Sequence, residues 1–282
     1  MNLTDYISET ARVMGVLNVT PDSFSDGGLY CDVDRALVHA KNMVSDGASI
    51  LDIGGESSRP GSTAVDSEEQ LRRVLPVIEA LNSAVWDGDE CPIISIDTTS
   101  SRVADRAIGA GAAWVNDITA GSGDPDMFSV VAQRQVPIVL MHMQGTPATM
   151  QDSPHYLDVV DEVIAFLEDR IQRAVQSGIQ ERNILLDPGI GFGKSRDHNL
   201  EILGSLDRLV RLGFPVVLGC SRKRFMGRIC NEEDPKALLG STVSTTALGV
   251  LDGVKVFRVH DVKPNRQAIE VMQAVKRFRA GM

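Results

Sequence analysis

Apolar runs of strand length recur along the chain, and each ends near a polar residue at the start of a loop. Such runs are typical of strands that are buried on both faces of a parallel sheet. Between them, apolar residues recur at helical spacing, which indicates crossover helices. The predicted strands are 12–18, 49–55, 91–97, 113–117, 137–142, 183–187, 215–219 and 255–260.

The helical pattern is clearest in the segments 34–45, 101–108, 126–134 and 157–176. A further helix is predicted to begin with a capping box formed by Ser67 and Gln70 and to present an apolar face as far as Leu81. Pro76 lies within that helix, and we expect it to kink the helix without ending it, because the apolar periodicity continues beyond it.

Strand, polar loop and helix therefore alternate about eight times, which is the number that closes a barrel. We predict an α/β fold, a single (β/α)8 TIM barrel, with one domain over residues 1–282. The spacing of roughly 34 residues per repeat is close to that of a ~250-residue barrel. The alternative is an open doubly wound sheet, which normally has fewer strands.

Composition and charge narrow the class of partner. The 282 residues are 43% hydrophobic and carry a formal charge of −10, and no basic stripe is present to neutralise nucleic-acid phosphates. No signal peptide is recognisable in residues 1–10, and no apolar run reaches the ~20 residues of a membrane span. The four cysteines show no C-x-x-C spacing. We expect reduced thiols, a cytoplasmic protein, and neither nucleic-acid nor membrane partners.

Three polar residues at strand ends are candidates for binding a small molecule. Asp97 and Asp187 both end apolar runs, where a buried carboxylate needs hydrogen-bond donors or a cation. Asn116 ends the strand between them and has both a donor and an acceptor. Together they would complement a flat heterocycle of the 2-aminopyrimidinone type. The alternative for each aspartate is that it caps the helix that follows.

The segment 189–195 has glycines and a Lys-Ser pair that resemble a phosphate-binding loop, but Pro188 stands where that motif needs glycine. We interpret the glycines as letting the backbone pass close to a bound ring, with Phe192 packed nearby.

Basic residues cluster after the last two predicted strands. Ser221, Arg222 and Lys223 place a hydroxyl and two cations where barrel loops often hold phosphate, although a solvated basic patch is the alternative. Arg258 and His260 alternate out of the final strand, so both should point the same way and suit an anionic leaving group.

A metal site built from protein ligands alone is not indicated, because the five histidines show no paired spacing. A Mg²⁺ ion held by Asn18 and by a substrate pyrophosphate would need only one or two protein ligands. No serine or cysteine nucleophile with an evident base is present, so covalent catalysis is not expected.

Taken together, these segments resemble the dihydropteroate synthases. The matching stretches, in the family's order, are LNVTPDSFSDGG at 17–28, DIGGESSRPG at 52–61, SIDT at 95–98, ND at 116–117, MHMQG at 141–145, DPGIGFGK at 187–194, SRK at 221–223 and RVHD at 258–261. The resemblance implies a TIM barrel, usually a homodimer, that joins 6-hydroxymethyl-7,8-dihydropterin pyrophosphate to p-aminobenzoate and releases pyrophosphate. It also implies Mg²⁺ as cofactor and sulfonamides as inhibitors.

Residue roles follow from the same resemblance. The catalytic set would be Asp97, Asp187, Lys223 and Arg258. The pterin would be held by Asp97, Asn116, Asp187, Phe192 and Lys223. The p-aminobenzoate and pyrophosphate sites would involve Phe24, Ser58, Arg59, Pro60, Ser221, Arg258 and His260, with Asn18 at the metal. Ser58 stands where the family usually has threonine, which should loosen the p-aminobenzoate pocket slightly.

Two other readings of this resemblance are a corrinoid-linked methyltransferase and a pterin-binding paralogue without activity. The methyltransferase would not be expected to carry the Phe24 loop, the Ser-Arg-Lys segment or the Arg-Val-His segment. A turnover assay with both substrates separates the paralogue from the enzyme.

Overall fold

The computed structural model describes residues 6–7, 10–20, 28–57, 65–86 and 91–281, and of residues 28–32 the backbone alone. Its strands are β1 Arg12–Asn18, β2 Ile50–Gly54, β3 Ile93–Asp97, β4 Trp114–Asp117, β5 Ile138–Met141, β6 Ile184–Asp187, β7 Val217–Leu218 and β8 Val256–Val259. They form one parallel sheet in the order β6-β5-β4-β3-β2-β1-β8-β7. A parallel bridge between Leu186 of β6 and Val216, the residue before β7, connects the first and last strands of this order. The predicted TIM barrel is confirmed.

Helices follow the strands and surround the barrel. They are α1 Gly28–Ser45, α2 Ser67–Asn82, α3 Ser101–Ala110, α4 Met127–Arg134, α5 Val159–Gln176, α6 Arg196–Leu203, α7 Leu206–Val210, α8 Arg224–Cys230, α9 Leu239–Asp252 and α10 Val262–Ala280. Within the described ranges, no helix combines the length and apolar character that crossing a bilayer requires.

The predicted capping box at the start of α2 is wrong. Asp66 is the N-cap, and its side chain accepts a hydrogen bond from the backbone N–H of Glu69 at 2.9 Å. Gln70 is instead buried and donates from its amide to Glu56. Pro76 lies inside the continuous helix, as predicted. The apolar pattern located the helix but not its cap, because an aspartate one position earlier is as good a cap as a serine.

The barrel interior changes from apolar to polar along the strands. Side chains two positions apart point the same way, so Asp52 lies above Ile50 and Asn116 lies above Trp114 on the inner face. The lower layer is an apolar cluster formed by Tyr6, Ile7, Met14, Ile50, Trp114, Val139, Leu185, Val217 and Val256. A larger apolar cluster lies between the strands and the helices. The packed floor leaves the carboxyl ends of the strands as the place for a polar site.

Candidate active site

Strand register brings residues of four strands into one layer at the mouth, and three of these residues are polar. Asn18 pairs with Gly54, Gly54 with Asp97, and Asp97 with Asn116. A Cβ atom on Gly54 would lie 3.5 Å from Asn18 Oδ1 and 3.7 Å from Asp97 Cβ. The predicted residues Asn18, Asp97 and Asn116 are therefore neighbours across the mouth.

Asp52 is the buried centre of this layer, with 0% of its surface exposed. Its carboxylate accepts hydrogen bonds from Ser95 Oγ at 2.7 Å, Asn116 Nδ2 at 2.9 Å and Arg258 Nε at 2.7 Å. Arg258 Nη2 also donates to Asp97 Oδ2 at 2.7 Å. One guanidinium thus joins two carboxylates. No role was predicted for Asp52 from the sequence, although a lone carboxylate inside an apolar strand is the same signal that identified Asp97 and Asp187.

The pKa values in this layer reflect the presence of two carboxylates and one guanidinium. Burial raises the pKa of Asp97, and the carboxylates of Asp52 and Asp117 raise it further, while Arg258 opposes both effects. Burial alone would lower the pKa of Arg258, but the carboxylates of Asp52 and Asp97 outweigh it, and the pKa is raised. Arg258 is therefore charged at any working pH. The pKa of Asp97 is raised to about 7, so the layer carries an excess of negative charge once the pH is high enough to ionise Asp97. Asp97 does not cap α3, because Ser100 does.

Asp187, Phe192 and Lys223 lie on the other side of the mouth. Asp187 is buried at the end of β6, and its Oδ1 accepts a hydrogen bond from the backbone N–H of Gly189 at 2.7 Å. Lys223 Nζ lies 4.2 Å from the centre of the Phe192 ring, within range of a cation–π interaction. Burial lowers the pKa of Lys223 to about 8, against the opposing charge of Asp187.

Ser221 and His260 connect the ends of β7 and β8. Ser221 Oγ accepts from the backbone N–H of His260 at 3.2 Å and lies 3.0 Å from His260 Nδ1. Arg222 and Lys223 were both expected to present a cation at the mouth, but Arg222 is paired with an aspartate. It adopts a φ of 58° and donates to both carboxylate oxygens of Asp261, at 3.0 and 2.7 Å. Lys223 is therefore the residue of the Ser-Arg-Lys segment whose charge remains available at the mouth.

Two of the glycines after β6 lie against the protein's own backbone. A Cβ atom on Gly189 would lie 1.8 Å from the carbonyl oxygen of His142, and one on Gly193 would lie 2.4 Å from that of Gln144. Gly189 and Gly193 therefore let this loop pack against the backbone that follows β5. A Cβ atom on Gly191 would instead lie 3.1 Å from the side chain of Lys223. Lys194 is buried beside His142, and no role was predicted for it from the sequence.

Four predicted site residues, Phe24, Ser58, Arg59 and Pro60, lie outside the described residues. In the part of the chain that is described, no group of three or more His, Cys, Asp or Glu side chains could hold a metal ion. Asn18 offers a single neutral oxygen at the mouth, which fits a hard cation whose other ligands come from substrate phosphates and water.

The chain is similar to known proteins over almost its whole length. The sequence profile described as pterin binding enzyme matches residues 14–260. The dihydropteroate synthase of Bacillus subtilis is 45% identical over 95% of this chain and 89% of its own. A Xanthomonas albilineans dihydropteroate synthase with 4-aminobenzoic acid superposes with a TM-score of 0.88 at 46% identity, covering 95% and 94% of the two chains. The Yersinia pestis enzyme with a sulfonamide drug complex also gives 0.88, at 40% identity over 96% and 95%. The chain therefore belongs to the dihydropteroate synthases of the pterin-binding enzyme family.

Proposed function

We propose that the protein condenses 6-hydroxymethyl-7,8-dihydropterin pyrophosphate with p-aminobenzoate, giving 7,8-dihydropteroate and pyrophosphate. The observation that carries the proposal is a set of three oxygen atoms at the mouth. Asp97 uses Oδ2 for Arg258, Asn116 uses Nδ2 for Asp52, and Asp187 uses Oδ1 for Gly189. No described residue donates to the second oxygen of either aspartate or to the amide oxygen of Asn116.

These three oxygen atoms are not sealed inside the protein. Among the described residues, the only fully buried side-chain nitrogen or oxygen without a partner is Ser49 Oγ. The three oxygens therefore keep some contact with the mouth, where a ligand can reach them. A pterin presents N–H groups along one edge of its ring, and three acceptors on three strand ends complement that edge.

The excess negative charge suits the chemistry of the transfer. When the C–O bond to pyrophosphate breaks, positive charge develops on the methylene carbon and spreads over the pterin. The carboxylates of Asp97 and Asp187 stabilise that charge without touching the reacting carbon. The neutral amine of p-aminobenzoate then forms the C–N bond and releases a proton. An aniline nitrogen is nucleophilic when neutral, so the step requires no strong base.

The groups proposed to bind the leaving pyrophosphate lie at the ends of β1 and β8. Arg258 uses Nε and Nη2 for the two aspartates, which leaves Nη1 for a phosphate oxygen. His260 lies at the end of the same strand, two residues further. Asn18 would contribute one oxygen to a Mg²⁺ ion, which supplies charge neutralisation to the pyrophosphate when bound. Lys223 and Phe192 would contact the pterin ring from the β6 and β7 side.

The second substrate is proposed to bind near Ser221 and near the loop residues Phe24, Ser58, Arg59 and Pro60. Sulfonamides, which resemble p-aminobenzoate, would compete there. Assembly as a homodimer and a cytoplasmic location are further proposals; Cys91, Cys220 and Cys230 are free thiols, which agrees with a reducing compartment.

A turnover assay tests the proposed function. Dihydropteroate should form and pyrophosphate should appear in equal amounts, only when both substrates and Mg²⁺ are present. Binding of the pterin substrate without any product would instead identify a pterin-binding protein that is not an enzyme.

A further inference from the structure

Lys194 is a buried cation that no step of the proposed reaction uses. Only 2% of its surface is exposed. Its Nζ lies 2.8 Å from His142 Nδ1, 3.0 Å from the carbonyl oxygen of Phe192 and 3.4 Å from that of His142. The side chain therefore joins the residue that follows β5 to the glycine-rich loop that follows β6.

The three neighbours of Nζ suit an ammonium group. Two are carbonyl oxygens, which only accept, and the third is the imidazole of His142, whose pKa is lowered to about 3 by burial and by the Lys194 charge, so that it is neutral and accepts at Nδ1 in its Nε2–H tautomer. Burial lowers the pKa of Lys194 itself to about 7, so the ammonium form prevails below that pH. The neutral imidazole is also fixed in place, because its ring meets the Phe166 ring edge-on with centroids 4.9 Å apart.

The loop that Lys194 holds is the one that carries Phe192. The hydroxyl of Tyr156 donates to the carbonyl of Gly193 at 2.8 Å, and Asn199 Oδ1 accepts from the backbone N–H of Gly191 at 2.7 Å. Lys194 adds the bond to the carbonyl of Phe192, whose ring lies against the Lys223 ammonium. Of these three bonds, the one from Lys194 is the charged one, and charged hydrogen bonds are the stronger kind.

Lys194 also acts on Asp187 through its charge. Burial raises the pKa of Asp187, while the Gly189 N–H and then the charges of Lys223, Arg258 and Lys194 lower it. Removing Lys194 takes away one of three nearby cations, and this shifts Asp187 toward its neutral form. Both effects reach the pterin side of the mouth without any contact between Lys194 and a ligand.

We propose that Lys194 is a positioning residue for the pterin substrate: its ammonium group fixes the loop after β6, so that Phe192 supports Lys223. This inference rests on the proposed function. A merely structural lysine would affect stability and both substrates alike, whereas a positioning residue on this side of the mouth affects the pterin selectively.

The test compares Lys194→Met with the control Lys41→Met, which replaces an exposed lysine on α1. For Lys194→Met we expect kcat/KM for the pterin pyrophosphate to fall at least ~10-fold, whereas the KM for p-aminobenzoate, measured at saturating pterin, changes less than ~2-fold. The thermal midpoint should fall, because two carbonyl oxygens and His142 Nδ1 lose their donor. The difference between the two substrates, rather than stability, therefore carries the test. The control variant should match the wild type in all three measurements.

The outcomes separate the inference from the proposed function. If the wild type makes no dihydropteroate, the proposed function fails. Two outcomes with an active wild type would overturn the inference. In one, Lys194→Met keeps the wild-type kcat/KM for the pterin pyrophosphate. In the other, its kinetic constants for the pterin and for p-aminobenzoate worsen to the same degree. Should Lys194→Met not fold, Lys194→Gln and Tyr156→Phe apply the same comparison, and a wild-type kcat/KM for the pterin in both would overturn it.

Discussion

The two sides of the barrel mouth present carboxylates in different ways. On the side of β2, β3 and β8, the guanidinium of Arg258 bonds directly to Asp52 and Asp97, both at 2.7 Å. On the side of β6 and β7, Asp187 has no ion-pair partner among the described residues, and Lys194 and Lys223 act on it from a distance. The first side is held by an arginine, which does not titrate, and the second by lysines, which do.

The two sides should therefore differ in their sensitivity to truncation and in the groups that titrate near neutral pH. Removing one member of a buried ion pair leaves an uncompensated charge, so the arginine side should be sensitive to truncation. Burial lowers the pKa of Lys194 to about 7 and that of Lys223 to about 8. The lysine side should therefore lose positive charge as the pH rises through neutrality. On the arginine side the group that titrates there is Asp97, because burial raises its pKa to about 7.

The largest expected effect is the loss of Arg258. Arg258→Met leaves Asp52 buried beside Asp97 without a cation, and we expect the free energy of unfolding to fall by about 3–5 kcal/mol. Denaturant titration measures this. Arg208→Met, which breaks the exposed pair with Asp161, is the control and should change stability by about 0–1 kcal/mol. Equal changes in the two variants would mean that the arginine side is not the stabilising one.

Asp97 and Asp187 lie on opposite sides of the mouth, and neutralising either one should lower turnover. We expect Asp97→Asn and Asp187→Asn each to lower kcat by at least ~10²-fold with the fold intact, because each removes charge that faces the developing pterin cation. Steady-state kinetics and circular dichroism check this. Near-normal turnover in both variants would remove the carboxylates from the mechanism.

Lys223→Ala should affect binding and leave stability nearly unchanged. The side chain lies at the mouth against Phe192 and contributes little to the core, so the thermal midpoint should barely move while affinity for pterin pyrophosphate falls. Calorimetric titration provides the affinity. An unchanged affinity would support the alternative that Lys223 belongs to a solvated basic patch.

The smallest expected effect is a pH dependence of stability from the two lysines. Between their folded pKa values of about 7 and 8 and the ordinary lysine value of ~10.4, the unfolded chain binds more protons than the folded one. Their contribution to the free energy of unfolding should therefore increase as pH rises through this window. Lys194→Met should reduce the slope of stability against pH, and an identical slope would show that Lys194 does not titrate there.

Continuous apolar runs and period-3.6 patterns were enough to predict the barrel, because each strand is apolar enough to be buried and each helix has one apolar face. They also placed Asp97, Asn116 and Asp187 at strand ends, and in the structure all three lie at the same end of the barrel. Asp52 was missed because only strand ends were searched, although it lies on the same inner face.

Side-chain pairs between residues far apart in the chain could not be predicted from the sequence. The pairing of Arg222 with Asp261 joins residues 39 positions apart, and that of Lys194 with His142 joins residues 52 apart. No local pattern reports such distances. The glycines after β6 were noticed, but their neighbour could be identified only once the position of β5 was known.

The central claim is that three oxygens left unpaired at the mouth recognise the pterin. A crystal structure with the pterin pyrophosphate bound tests it most directly. We predict ring N–H groups within hydrogen-bond distance of Asp97 Oδ1, Asn116 Oδ1 and Asp187 Oδ2, with the Arg258 bonds to Asp52 and Asp97 still in place. A pterin bound away from these oxygens, or one that displaces Arg258 from Asp97, would contradict the account.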